Sequence, residues 1–453
     1  MKIVIVGGGK VGFAIAREMS GEGHDITIID HDRDNVENLS VAVDGMVVLG
    51  NGNSLEAQRA ANVGESDLMI AATPNDEVNI LCCILAKKLG CPNNIARIRR
   101  WEYKEEIHLL RDELGLSMMV NPDGSAAREL FRLLQFPGFL KRSSFAKSRV
   151  EMVGVDLNEK SILAGKKLID LPRLLKQKIL ICAVKRGEET VIPGGSFQLE
   201  AGDELLVTAP VTELSRLMEH LGLRKKKVRS VMIVGGSRVG INLARMLCES
   251  DVRVKLLDKD PEKCRDLAEM LPSAQVLCVD GTRQEVLRRE NISQMDAVVA
   301  LTNMDEENVF ICMYANMMGV PQAIPKVNRT EYGPVCQSCG IRAMVSPKDV
   351  CAQEITRYVR AMQSTDAESV LSMYNLMDGS VEALEFEVTG DVPHLGERLA
   401  DVKLKPNILI SSITRQGRLI FPGGSDSLQK GDIVVVVTAS NRVIVELRDI
   451  FDD

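Results

Sequence analysis

A chain of 453 residues, 45% hydrophobic and 26% charged, has an ordinary globular composition and room for about three domains, with four inside the scatter of that prior. Its net charge of −7 weighs against a nucleic-acid partner, which needs a basic footprint. No apolar run approaches the roughly 20 residues that cross a bilayer, and Lys2 leads at once into a strand and a glycine turn rather than a signal-peptide core, so a cytoplasmic protein is expected.

The chain opens with the apolar run Lys2-Ile3-Val4-Ile5-Val6, which feeds Gly7-Gly8-Gly9-Lys10-Val11-Gly12. Gly7, Gly9 and Gly12 fit G-x-G-x-x-G between a predicted strand and a predicted helix. Gly7 allows the tight turn, Gly9 lets backbone approach a pyrophosphate, and Gly12 lets the helix pack closely on the sheet. A phosphate would sit at the helix N-terminus, where free N–H groups and the helix dipole favour an anion. Asp30 closes the next apolar run and is placed to accept hydrogen bonds from an adenosine ribose.

Further apolar runs at 46–49, 68–71, 95–98 and 117–120 alternate with helical patterns, predicting a parallel doubly wound sheet of Rossmann type. A helix over 123–135 follows and is broken by Phe136-Pro137-Gly138. From about 150 the pattern changes to short β runs at Val150–Val155, Ile179–Val184, Val191–Ile192 and Leu205–Val207, then a helical stretch, Thr212–Leu221. This predicts a small α+β module. The basic run Arg224-Lys225-Lys226-Lys227 then reads as a solvated linker or as contact with an acidic or membrane-proximal surface.

The second half restates the first. Val234-Gly235-Gly236-Ser237-Arg238-Val239-Gly240 repeats the opening at an offset of 228, and Asp258 follows Asp30 at the same offset. After a one-residue slip Thr73, Asp76, Glu77 and Asn79 return as Thr302, Asp305, Glu306 and Asn308, and Arg97 as Lys326. Pro193-Gly194-Gly195-Ser196 and Gly202-Asp203 return as Pro422-Gly423-Gly424-Ser425 and Gly431-Asp432. Shared spacing over so many positions marks a duplication. The expected fold is therefore two Rossmann-like doubly wound parallel-sheet domains, 1–145 and 228–365, each followed by a small α+β domain, 146–223 and 370–453, the last ending in a helix around Asn441–Phe451.

Most of the eleven cysteines lie inside apolar segments, as in Leu81-Cys82-Cys83-Ile84, and read as reduced core residues. Cys336-x-x-Cys339 has metal-like spacing, but no second C-x-x-C and no histidine cluster accompanies it. The same glycine fingerprint serves dehydrogenases, so an NAD-dependent oxidoreductase is the alternative reading. Hydride transfer needs a proton-handling group beside the nicotinamide. None of His24, His31, His108, His220 and His394 has a recognisable catalytic setting, and no Tyr-x-x-x-Lys occurs. A switch without catalytic residues fits two complete nucleotide modules better.

These residues resemble the regulatory subunits of Trk-type potassium uptake systems, built from two tandem RCK units, each a nucleotide-binding RCK-N module followed by a TrkA-C module. The resemblance covers the whole chain and rests on the doubled glycine turn, the Thr73-to-Asn79 segment, and the Pro-Gly-Gly-Ser and Gly-Asp pair. It implies a peripheral protein on the inner face of the cell membrane, a homotetramer that binds NAD(H) or ATP/ADP and gates a membrane-embedded Trk-type potassium transporter subunit. Carried over by position, the nucleotide would lie across Gly7, Gly9, Lys10, Val11 and Gly12, with Asp30 and His31 at the ribose and Asn51, Thr73 and Arg97 completing the pocket. The second copy supplies a weaker set: Gly235, Ser237, Arg238, Val239, Gly240, Asp258, Asp280 and Lys326. Two departures stand out. Asn51 occupies the place where Asp280 keeps the family's aspartate, and Ser237 replaces the middle glycine. The helices at about 123–135 and 348–362 are the expected dimer contacts.

Overall fold

A computed structural model describes residues 1–100, 114–135, 142–145, 150–157, 161–175, 179–187, 189–210, 213, 217, 228–363, 370–377, 380–439 and 444–452. Phe136-Pro137-Gly138, most of Thr212–Leu221, His108, His220 and the basic run at 224–227 lie outside them. The chain divides into two compact units, Met1–Phe131 with Arg229–Thr356, and Arg132–Val228 with Arg357–Asp453.

In the first unit β1 (Lys2–Val6), β2 (Asp25–Asp30), β3 (Met46–Leu49), β4 (Leu68–Ala71), β5 (Asn93–Arg97) and β6 (Met118–Val120) form one parallel sheet in the order 3-2-1-4-5-6. Ile3 to Val6 and Leu68 to Ala71 are buried on both faces, which is why these runs are continuously apolar rather than alternating. Strand order reverses between β1 and β4, so their C-terminal ends open a crevice, and the Gly7–Gly12 turn sits at its mouth. Helices Lys10–Gly21, Arg33–Ala42 and Asp76–Leu89 cover the sheet, the last two capped by the Asp32 and Asn75 side chains.

Further along, in the second unit, β7 (Arg142–Phe145), β8 (Val150–Asp156), β9 (Leu180–Arg186), β10 (Glu189–Val191) and β11 (Glu204–Pro210) make an antiparallel sheet ordered 10-9-11-8-7. The edge strand β7 has the sequence Arg-Ser-Ser-Phe, too polar to be read as a strand. The first unit resumes with β12 (Ser230–Val234), β13 (Arg253–Asp258), β14 (Gln275–Cys278), β15 (Ala297–Ala300) and β16 (Gln322–Pro325), parallel in the order 14-13-12-15-16. A sixth strand is replaced by a single bridge, Lys326 to Val345. Finally β17 (Val370–Leu376), β18 (Val381–Glu387), β19 (Ile408–Arg415), β20 (Arg418–Ile420) and β21 (Ile433–Thr438) repeat the antiparallel module in the order 17-18-21-19-20. Where a terminal helix was expected, the described residues hold one short 3-10 turn, Leu447–Ile450.

One recurring motif, the Gly-Asp pair, proves to be a joint of the fold in both copies. Gly202 and Gly431 take φ +94° and +84°, turning the chain so that the following aspartate points inward. Asp203 then accepts two hydrogen bonds from Arg186, at 2.7 and 2.9 Å, and Asp432 two from Arg415, at 2.9 and 2.8 Å. In the second unit the two antiparallel sheets share a core: Met152, Cys182 and Leu206 of one pack with Val381, Ala383 and Val435 of the other. The helices Pro122–Gln135 and Pro347–Gln363 meet inside the chain, with Ser125 and Arg128 donating to Glu354 at 2.8 and 3.1 Å. The described contact of these expected dimer helices is thus intramolecular.

Candidate functional site

Both glycine turns follow their sequence logic. Gly7 takes φ +96° and Gly235 φ +104°, a region costly for any residue with a Cβ. A Cβ at Gly12 would lie 1.8 Å from the Gly7 carbonyl oxygen, so Gly12 is needed for close packing of helix on turn. Gly9 differs, because a Cβ there would meet no atom within 4 Å; its missing side chain keeps space open. Gly9 is also the N-cap of Lys10–Gly21 and provides no side-chain hydrogen bond, leaving first-turn N–H groups available to an anion.

Asp30 is buried at the end of β2, where its Oδ2 accepts from Gly8 N at 2.6 Å and its Oδ1 from Asp32 N at 2.9 Å. The exposed His31 ring lies 3.3 Å from Oδ1. These bonds fix the carboxylate at the lip of the crevice. Thr73 lines the cavity described below and also has a structural part. Its hydroxyl donates to Asn79 Oδ1 at 2.7 Å, while Asn79 Nδ2 donates to the carbonyls of Thr73 and Arg97 at 3.1 and 2.8 Å. Asn308 ties Thr302 to Lys326 in the same way, at 3.2 and 2.9 Å. The Thr-to-Asn segment is thus a clamp that joins the ends of neighbouring strands.

Held by these clamps, Arg97 and Lys326 face a cavity of about 530 Å³ between the two parallel-sheet modules. Gly7, Gly9, Lys10, Val11, Asp30, His31, Thr73 and Arg97 line it from the first copy, and Ser237, Arg238, Val239 and Lys326 from the second. Six lining residues are lysine or arginine, the remaining two being Arg99 and Lys348, against two carboxylates, Asp30 and Asp123. Such a balance favours an anion. Arg97 donates to Ala72 O at 3.3 Å, yet its buried Nε has no partner. Burial, then the neighbouring Arg99, lowers the pKa of Arg97; burial likewise lowers that of Lys326, which lies close enough to Lys10 of the other copy to feel its charge. Buried, incompletely paired cations and an open glycine cradle are what a polyphosphate would satisfy. Asn51 and Asp280 are not among the lining residues. Asp280 instead accepts from the Thr282 hydroxyl at 2.7 Å. Gly12, Gly235, Gly240 and Asp258 are not among the lining residues either. Arg99, Lys348, Asn303 and Asn328 line the cavity without having been singled out in the sequence; Arg99 and Asn328 could have been found by reading two residues beyond the paired Arg97 and Lys326.

The second copy is wired differently. Asp258 Oδ2 accepts from Gly236 N at 2.8 Å and from Lys263 Nζ at 2.6 Å. Burial opposes ionisation of this carboxyl, but the Lys263, Asp260 and Gly236 donors outweigh it and hold the pKa below the usual carboxylate range.

Comparison with known proteins accounts for the whole plan. The TrkA-N domain matches residues 3–122 and 231–347, and the TrkA-C domain matches 152–222 and 383–451. The Trk system potassium uptake protein TrkA of Vibrio alginolyticus is 30% identical over 458 residues, covering 100% of this chain and 98% of its own length. The chain belongs to the TrkA family. A TrkA homolog of Archaeoglobus fulgidus is 30% identical over 452 residues, covering 100% of both chains. Among solved structures, the GsuK RCK domain superposes with a TM-score of 0.63 at 17% identity over 96% of this TrkA-family chain and 92% of its own. The GsuK channel bound to NAD gives 0.62 at 17% identity, over 96% and 76%. At that identity the likeness establishes the fold alone. No helix among the described residues is long and apolar enough to cross a membrane, and no three metal-ligating side chains converge among them. Cys336 belongs to the core of the second parallel module.

Proposed function

We propose that this chain is the nucleotide-responsive regulatory subunit of a potassium uptake system, binding NAD(H) or ATP/ADP in the cavity between its two parallel-sheet modules and gating a membrane-embedded potassium-translocating partner from the cytoplasmic side. The observation that carries this is the shared cavity: both glycine turns open onto it, with Arg97 from one copy and Lys326 from the other. A polyphosphate held there contacts both modules at once. Its affinity then depends on how they are packed, and a ligand shifts a two-state equilibrium only through such a difference in affinity. We read the four modules as 1–145, 146–223, 228–365 and 370–453, and the assembly as a homotetrameric ring. The exposed Phe310 and Met317, seven residues apart on the helix Asp305–Met317, support self-association. The role is non-enzymatic in this reading, because the cavity presents cations and backbone donors suited to holding phosphate, and the relatives are named for potassium uptake.

The test is potassium uptake in cells lacking this subunit. Wild type should restore regulated uptake, and Asp30→Ala, produced to the same level and equally folded, should leave the uptake rate altered severalfold. Identical uptake with both chains would sink the proposal.

A further inference from the structure

Asp30 and Asp258 stand at equivalent places, but only Asp30 is open to a ligand. Position 35 is asparagine in the first copy and lines the cavity; its counterpart is Lys263, whose ammonium lies 2.6 Å from Asp258 Oδ2. The same oxygen also accepts from Gly236 N, and Oδ1 from Asp260 N at 3.1 Å. An adenosine diol would have to displace Lys263 to donate to this carboxylate. A second difference lies at the helix N-terminus. Gly9 leaves it uncapped, whereas the Ser237 hydroxyl accepts from Gly240 N at 3.4 Å, taking a donor that a phosphate would use. The cavity itself agrees with this asymmetry, since Asp30, His31 and Asn35 line it while Asp258 and Lys263 are not among its lining residues.

We infer that Lys263 and Ser237 are built-in substitutes for the ribose and phosphate of a ligand, so that each chain binds one adenine nucleotide tightly, at its first copy, while the second is kept in a ligand-like arrangement by its own side chains. This rests on the nucleotide reading above. Lys263 is not a receptor for a ribose 2′-phosphate, because Asp258 sits against it and would repel a second anion. The consequence is a chain with one responsive and one fixed module, in which the duplicated copy supplies Arg238 and Lys326 to the shared cavity and no separate binding event.

The test is equilibrium dialysis of the full chain against radiolabelled ADP, with NADH as a second probe. Wild type should saturate at one nucleotide per chain, any second site being at least tenfold weaker. The double variant Lys263→Asn, Ser237→Gly should strengthen the second site at least tenfold. Asn35→Lys, which places an ammonium opposite Asp30, should weaken the first by a similar factor; since Lys263 is 41% exposed and Asn35 lines a cavity, neither position is needed for packing. Two equivalent sites in wild type, an unchanged second site in the double variant, or an unchanged first site in Asn35→Lys overturns the inference while leaving the nucleotide reading standing. Failure of wild type to bind either probe overturns both.

Discussion

A Cβ at Gly12 would lie 1.8 Å from the Gly7 carbonyl, whereas one at Gly9 would meet nothing within 4 Å. The two glycines of one fingerprint therefore answer to different pressures, and they separate folding from binding. Gly12→Ala should destabilise the chain by about 2 kcal/mol or more through overpacking against backbone. Gly9→Ala, whose φ of −66° suits any residue, should leave the melting temperature unchanged and weaken nucleotide binding at least tenfold. Melting curves paired with binding isotherms check both, and a Gly9→Ala chain that binds like wild type would mean the cradle is not used. The turns, Asp30 and Arg97 were legible in the sequence because each sits at the end of an apolar run, where a strand must stop. Lys263 was not, since a lysine in the first turns of a polar helix face looks like any other surface charge. Only its pairing with Asp258, five residues earlier in sequence, gives it meaning.

Elements are joined here by polar side chains at strand ends. Thr73 and Asn79 fasten the ends of β4 and β5 together, and the duplicated Gly-Asp pairs bring Asp203 and Asp432 to Arg186 and Arg415. For Thr73 the sequence alone could not separate these roles, because a hydroxyl at a strand end suits a clamp as well as a ligand contact. Burial opposes ionisation of Asp203, but hydrogen bonds from Arg186 and Glu200 N more than offset it and hold its pKa low. A carboxyl whose folded pKa is depressed stabilises fully above its unfolded value of about 4, and that stability is lost as the pH falls through the folded value. Asp203→Asn should therefore cost about 1–2 kcal/mol at neutral pH, a modest figure because the Arg186 side chain is 41% exposed and stays partly solvated. Its deficit relative to wild type should shrink below about pH 4. Denaturant titrations across pH would show this, and a deficit that does not vary with pH would contradict the ion-pair account.

At the scale of the whole molecule, the duplication made the architecture readable. Two copies of one pattern, offset by nearly the same interval, fix four modules more firmly than any single run of periodicity. The shared cavity was not readable, because nothing in either copy says that its glycine turn faces the other across a common space. The two copies meet through contacts such as Ser125 and Arg128 with Glu354, pairs more than two hundred residues apart in sequence. The central claim is that this space holds an adenine nucleotide whose ribose is read by Asp30. Titration calorimetry of NAD, NADH, ATP and ADP into wild type and Asp30→Ala tests it most directly. At least one of the four should bind wild type, and Asp30→Ala should weaken it tenfold or more, the loss expected when a charged acceptor is removed. Equal affinity in the two chains, or no binding of any of the four to wild type, would contradict it.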